Sequence, residues 1–166
     1  GISQTSGLIT ADFGLGLSAG DGGIGTAGAL TGAMQINTDL LTFETSGNAN
    51  IQDTVGGVTV VDMLDVIGEI IRPQSVTGNL TGGSLQMTAT GGDTANLNLQ
   101  ANITSVGTNG DLAADNDVNF IQGASATVTG NLVVRADLDN NNDGRIDLPA
   151  GNAVHLLAPN VGLAQS

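Results

Sequence analysis

Nine residues, ANLNLQANI at 95–103, constrain the fold more than any other stretch. Ala95, Leu97, Leu99, Ala101 and Ile103 fall on one side of an extended chain and Asn96, Asn98, Gln100 and Asn102 on the other, because strand side chains alternate with a period of two. A helix would scatter both sets around its circumference. The stretch is therefore read as a strand with one buried and one wet face. Short segments of the same kind recur along the chain, among them LITAD, AMQIN, LLTFET, SLQMTAT, DVNFIQ, SATVTGNLVVRAD and AVHLLA. Each is bounded by Gly, Asn, Asp or Ser, the residues of turns. The expected fold class is all-β.

Composition narrows how such strands can pack. Glycine accounts for 26 of the 166 residues, and aromatic residues for 2%, with no tryptophan or tyrosine. The usual share of glycine is about 7%. An ordinary sandwich leans on large rings in its core and corners, so here Ala, Val, Leu and Ile have to fill the interior. At 40% hydrophobic residues the chain is too apolar for a disordered acidic polymer. No shift in composition and no linker divides it, so residues 1–166 are read as a single β-rich domain. Cysteine is absent, which removes disulfides and thiolate metal sites. The chain opens on Gly1 without a basic stretch leading into an apolar one, so an export signal is expected to be removed or to lie outside these residues.

Repetition bears on how the strands are arranged. VTGNL occurs at 76–80 and again at 128–132, 52 residues apart, and LTG opens both LTGAMQI at 30–36 and LTGGSLQM at 80–87, 50 residues apart. Each spacing suits two coils of about 25 residues, a repeat length at which short strands joined by Gly and Asn turns stack into a parallel β-solenoid, or β-helix. Asn109-Gly110 is a favoured hairpin dipeptide. It supports the alternative, an antiparallel β-sandwich with strand exchange. One segment, VTVVDMLDVIGEIIRP at 58–73, breaks the rhythm. Val60, Met63, Leu64, Ile67 and Ile71 follow helical spacing up to a stop at Arg72-Pro73, whereas the β-branched residues and Gly68 favour two buried strands. Helix and strand both stay open for residues 59–71.

Three longer segments share a texture of small residues, short strands and turns: LSAGDGGIGTAGAL at 17–30, LTFETSGNANIQDT at 41–54 and GASATVTGNLVVRAD at 123–137. Through them the chain resembles the degenerate repeats of filamentous-haemagglutinin-type surface proteins, the large secreted β-helical adhesins of bacteria. The resemblance spans most of the chain and rests on no signature motif. It implies a right-handed parallel β-helix, an extracellular, cell-surface location and a part in adhesion or surface structure. It carries over no catalytic residue, and the export domain of that family has no counterpart in these residues.

Charge sorts the partners. Sixteen acids face three arginines, for a net charge of -13. A surface of that sign repels phosphate backbones and anionic headgroups, so neither nucleic acid nor membrane insertion is expected. Cations are the natural counterparts, and DLDNNNDGRID at 137–147 offers them a place. Counted from Asp139, the residues Asp139, Asn141 and Asp143 take alternate positions, Gly144 follows for a sharp turn, Arg145 presents its backbone carbonyl and Asp147 closes the loop. Oxygen donors in that order suit a large hard cation. The spacing resembles the DxNxDGxxD loops of dockerin and thrombospondin-type calcium repeats, although Ala150 stands where those loops carry a bidentate acid. Calcium is thus the expected cofactor, with Asp139, Asn141, Asp143, Arg145 and Asp147 as ligands and Asp137 or water available to complete the shell. The bland alternative is a solvated turn rich in Asn, Asp and Gly.

Catalytic signals are sparse. The single histidine, His155, sits among apolar neighbours, lysine is absent, and no local arrangement sets a serine beside the histidine. Asn37-Thr38-Asp39 matches one short piece of the polygalacturonase pattern, but its remaining pieces are missing. The chain is therefore expected to be no enzyme but a structural or adhesive extracellular protein, calcium-stabilised, that self-associates into a surface fibre or extended solenoid. Its expected partners are copies of itself, through end-to-end or strand-exchange contacts, and glycan surfaces. The alternative is a carbohydrate-binding or polysaccharide-cleaving β-helix protein.

Overall fold

The computed structural model describes residues 1–19, 22–26, 32–45, 47–61, 64–66, 69–71, 85–100, 103–105, 109–121, 124–148 and 155–165. These residues form strands and no helix. In chain order the strands are β1 (Ile9–Ala11), β2 (Leu15–Ser18), β3 (Met34–Thr38), β4 (Leu40–Glu44), β5 (Ala49–Asp53), β6 (Gly57–Val60), β7 (Leu64–Val66), β8 (Glu69–Ile71) and β9 (Leu85–Ala89). They continue as β10 (Asn96–Leu99), β11 (Ile103–Ser105), β12 (Asn109–Ala114), β13 (Val118–Phe120), β14 (Ser125–Val128), β15 (Asn131–Ala136), β16 (Ile146–Asp147), β17 (His155–Leu157) and β18 (Asn160–Gln165).

The strands sort by turns. A first sheet runs β1-β3-β5-β9-β12-β15-β18, a second β16-β13-β10-β6-β4-β2 and a third β11-β14-β17. All their described ladders are parallel. The chain passes from the first sheet to the second, and from β9 onward also to the third, before it returns to the first sheet one place further along. Parallel neighbours cannot be joined by a tight hairpin, so every return needs a long connection. That excludes the antiparallel sandwich. Asn109-Gly110, read as a hairpin turn, instead opens β12 and pairs with Asn131 and Leu132. Its glycine serves close packing: a Cβ on Gly110 would lie 2.9 Å from Val128 Cγ2 and 3.2 Å from Leu132 Cδ1.

The segment left open between helix and strand is extended wherever it is described. Val58 and Val60 are buried in β6, and β7 pairs antiparallel with β8, Leu64 opposite Ile71. Val66, Ile70 and Ile71 are β-branched, and such side chains lose less freedom on a pleated strand than on a helix. Met63, Ile67, Gly68 and Arg72 lie outside the described residues, as does the first VTGNL. The other repeat is partly visible: the MQI of LTGAMQI falls in β3 and the LQM of LTGGSLQM in β9, two places apart in the first sheet with β5 between them. The intervening steps are unequal, Met34 pairing with Ile51 and Ile51 with Met87.

Like side chains stack in columns across the strands. Met34, Ile51, Met87, Leu112 and Val134 follow one another in register through the first sheet, and all are buried. Leu41, Val60, Leu99 and Phe120 do the same in the second sheet. A fully buried Leu or Ile contributes about 2 kcal/mol, so these columns are the main source of cohesion. Where the first sheet turns toward the second, Ala89 and Ala114 are buried and in register. Small side chains fill the later turns of that column, whereas Ile36 and Asp53 occupy it in the earlier ones. Outside, Asn119 donates to Asn98 at 2.8 Å and Asn98 to Thr59 at 3.3 Å, forming a polar ladder on the second sheet.

Candidate metal centre

The corner between the first and second sheets carries an aspartate in most of its turns. In the last of these turns the chain leaves β15 and takes nine residues to reach β16. Asp137 opens it at φ 60°, and Asn140 and Asn142 follow at 61° and 70°. Asp and Asn tolerate the left-handed region better than other side chains, so a run of them can coil where a β-branched residue would strain. The Asp137 side chain is buried and directs its carboxylate back into the loop, accepting the N–H of Asn141 at 3.0 Å and of Asn142 at 3.2 Å. Its own N–H donates to the Asn116 carbonyl one turn earlier.

Gly144 closes the loop for a reason other than the expected one. Its backbone does not adopt a positive φ. It is required by proximity, because a Cβ there would meet Asp137 N at 2.5 Å and Asn116 O at 2.6 Å.

This coiling brings carboxylate oxygens of Asp137, Asp139 and Asp143 within 4.8 Å of one another. Asp139 and Asp143 were expected as ligands, and Asp137 as a supplementary one. Asn141 is beside them: its Nδ2 donates to Asp139 Oδ2 at 3.2 Å, and its Oδ1 accepts the Asp143 N–H at 3.2 Å. Arg145 and Asp147 belong to the ladder that follows. The Arg145 carbonyl accepts the Val118 N–H at 3.0 Å, and Asp147 pairs with Asn119 in β16. Ala150 lies outside the described residues.

Two neighbours come from earlier turns. Asp93 Oδ1 accepts from Asn141 Nδ2 at 2.7 Å, across 48 residues of sequence. Asp115 accepts the N–H groups of Gly91 and Gly92 at 2.8 and 3.2 Å and faces Asp139. The Asp139 carboxyl is pushed above its ordinary range, first by loss of hydration in the crowded loop and then by the charge of Asp115, with smaller additions from Asp143 and Asp137; the Asn141 N–H opposes the rise. An oxygen cluster of that sign can hold a hard cation or take up protons.

Asp53 occupies the equivalent corner three strands back in the first sheet. It lies in a core column between Ile36 and Ala89, 1% exposed. Burial raises its carboxyl to about 6, against the pull of the Thr38, Val55 and Gly57 N–H groups; Asp39 adds to the rise. Its oxygens organise the turn, accepting the N–H of Gly57 at 3.1 Å and of Val55 at 3.3 Å. His155 enters β17 opposite Ser125, in the third sheet. Set against known proteins, the chain matches no family model, no curated protein and no solved structure.

Proposed function

We propose that this chain is an extracellular, cell-surface structural or adhesive protein, built as a parallel β-solenoid, that self-associates through the ends of its stack and takes no part in catalysis. The observation that carries the reading is the last strand of the first sheet. β18 pairs along six residues with β15, and its Val161 and Leu163 prolong columns in which Leu132 and Val134 are wholly buried. Yet Val161 and Leu163 are themselves 42% and 52% exposed. A long, uncharged parallel edge above an unfinished core is the kind of surface that natural proteins otherwise blunt. Support for the solenoid comes from the fixed order in which the chain visits its sheets and from the parallel, in-register ladders.

Calcium belongs to the proposal as the ion held by Asp137, Asp139 and Asp143, with the Asn141 side chain beside them. Such an ion would offset repulsion along the acidic corner. The polar ladder of Thr59, Asn98 and Asn119 favours a second use of the same scaffold, weak hydrogen bonding to glycan surfaces. Negative-stain microscopy of the purified protein, with calcium and with chelator, tests the main reading. Unbranched fibres that shorten or vanish on chelation are expected. Monodisperse particles that bind or thin a polysaccharide would favour the glycan reading and contradict the structural one.

A further inference from the structure

We infer that copies of this chain stack head to tail, the first coil of one (β1 and β2) seating on the last coil of the next (β16, β17 and β18), rather than pairing tail to tail. The inference rests on the self-association proposed above and names its partner and polarity.

Charge directs contact to the ends. Of the sixteen acids, residues 1–19 hold only Asp12 and residues 148–166 hold none; the other fifteen lie between Asp21 and Asp147. Copies approaching side by side meet strong like-charge repulsion; copies approaching end to end meet it at one corner, where the last coil carries Asp137, Asp139, Asp143 and Asp147 and the first carries Asp12, while β17 and β18 present no acid. Apolar exposure follows the same division. Nine large apolar side chains are exposed among the described residues, and Leu8, Phe13, Leu148, Val161 and Leu163 belong to the end segments.

Register decides the polarity. Ile2 bridges to Ile24 and Ile24 to Ala49, and from there the column runs through Leu85, Gly110 and Leu132 to Val161. Ile2 and Val161 are therefore the two ends of one column. Placing the Ile2 of one copy over the Val161 of another prolongs that column and keeps the first sheet parallel, with β1 beyond β18. The second sheet points the same way, since it begins at β2 and ends at β16. A two-fold tail-to-tail contact gives less. It can oppose β18 to β18, but it then sets the second sheet of one copy against the third sheet of the other.

Two half-exposed leucines provide the test. Leu8→Glu adds an acid to the first coil and Leu163→Glu adds one to the last, each with no buried side chain removed; circular dichroism and the melting temperature check that both variants fold. In sedimentation velocity the wild type is expected to form a concentration-dependent series. Each variant alone is expected to remain monomeric, and an equimolar mixture to give a species of twice the 16.4 kDa protomer mass, one sound head on one sound tail. If the wild type assembles and Leu8→Glu still dimerises while Leu163→Glu does not, the polarity is overturned and self-association stands. If the mixture stays monomeric while the wild type assembles, the polarity is likewise overturned. A wild type that stays monomeric removes the self-association and this inference together.

Discussion

Replacing Asp53 with asparagine should make the protein more stable at neutral pH, although the substitution removes a carboxylate that accepts three backbone N–H groups. Burial lifts the Asp53 carboxyl from 3.8 to about 6, the hydrogen bonds from Thr38, Val55 and Gly57 notwithstanding. Between those two values the folded chain holds a proton that the unfolded chain has released, so the folded state binds more protons. Stability therefore falls as pH rises through that window and levels off above pH 6. The separation of the two values corresponds to about 3 kcal/mol, which for a chain of this length moves the melting temperature by about 6 to 12 °C. Asparagine is neutral at every pH and keeps an acceptor oxygen for the Val55 and Gly57 N–H groups, giving up only the longest bond, that from Thr38 at 3.4 Å. Calorimetry of Asp53→Asn and the wild type from pH 4 to pH 8 should show the variant melting higher at pH 7 and the two curves meeting near pH 4. Parallel curves across the whole range, or a variant less stable at pH 7, would refute the reasoning that burial outweighs the three N–H donors.

Other perturbations follow from the corner loop and the outer ladder. Gly144→Ala forces a Cβ against the Asp137 and Asn116 backbones. Overpacking of that kind costs about 3 kcal/mol, and thermal melting of the variant should drop accordingly and lose any response to calcium. For the wild type, calcium should raise the melting temperature and chelator lower it. Asp139→Asn with Asp143→Asn should abolish the difference while leaving the chelated protein no less stable, because both side chains are exposed and repel their neighbours. Acidification should weaken calcium binding, since the raised Asp139 carboxyl takes up a proton earlier than an isolated aspartate would; isothermal titration at pH 7 and pH 5 checks this. Asn98→Ala removes the acceptor of Asn119 and the donor to Thr59, and chemical denaturation should show a loss of about 1 kcal/mol.

What could be read from the sequence was local. The alternation at 95–99 became β10 with Ala95, Leu97 and Leu99 buried, because a period of two needs only the strand itself to be meaningful. It stopped short of Ile103, which opens β11 in the third sheet: an alternating run does not reveal where the chain turns a corner. Asn109-Gly110 was misleading for the same reason. A dipeptide suited to a hairpin is equally suited to a strand whose glycine lies under Val128 and Leu132, and only the neighbouring coil decides. The loop at 137–147 announced its oxygen donors but not their partners. Asp93 and Asp115 reach it across coils of unequal length; Asn119 and Asn98 are 21 residues apart, whereas Asn160 and Asn131 are 29 apart. With no constant repeat, an acid one turn away cannot be found by counting. Gly144 was placed correctly for the wrong cause, since contact between backbones depends on the turn beneath it.

Small-angle scattering over a concentration series measures the proposed stacking most directly. If copies join head to tail, the scattering length should grow in steps of about 34 Å, seven strands at the usual spacing, while the cross-sectional radius stays constant. A length that never exceeds one protomer, or a cross-section that widens as the particles grow, would contradict it.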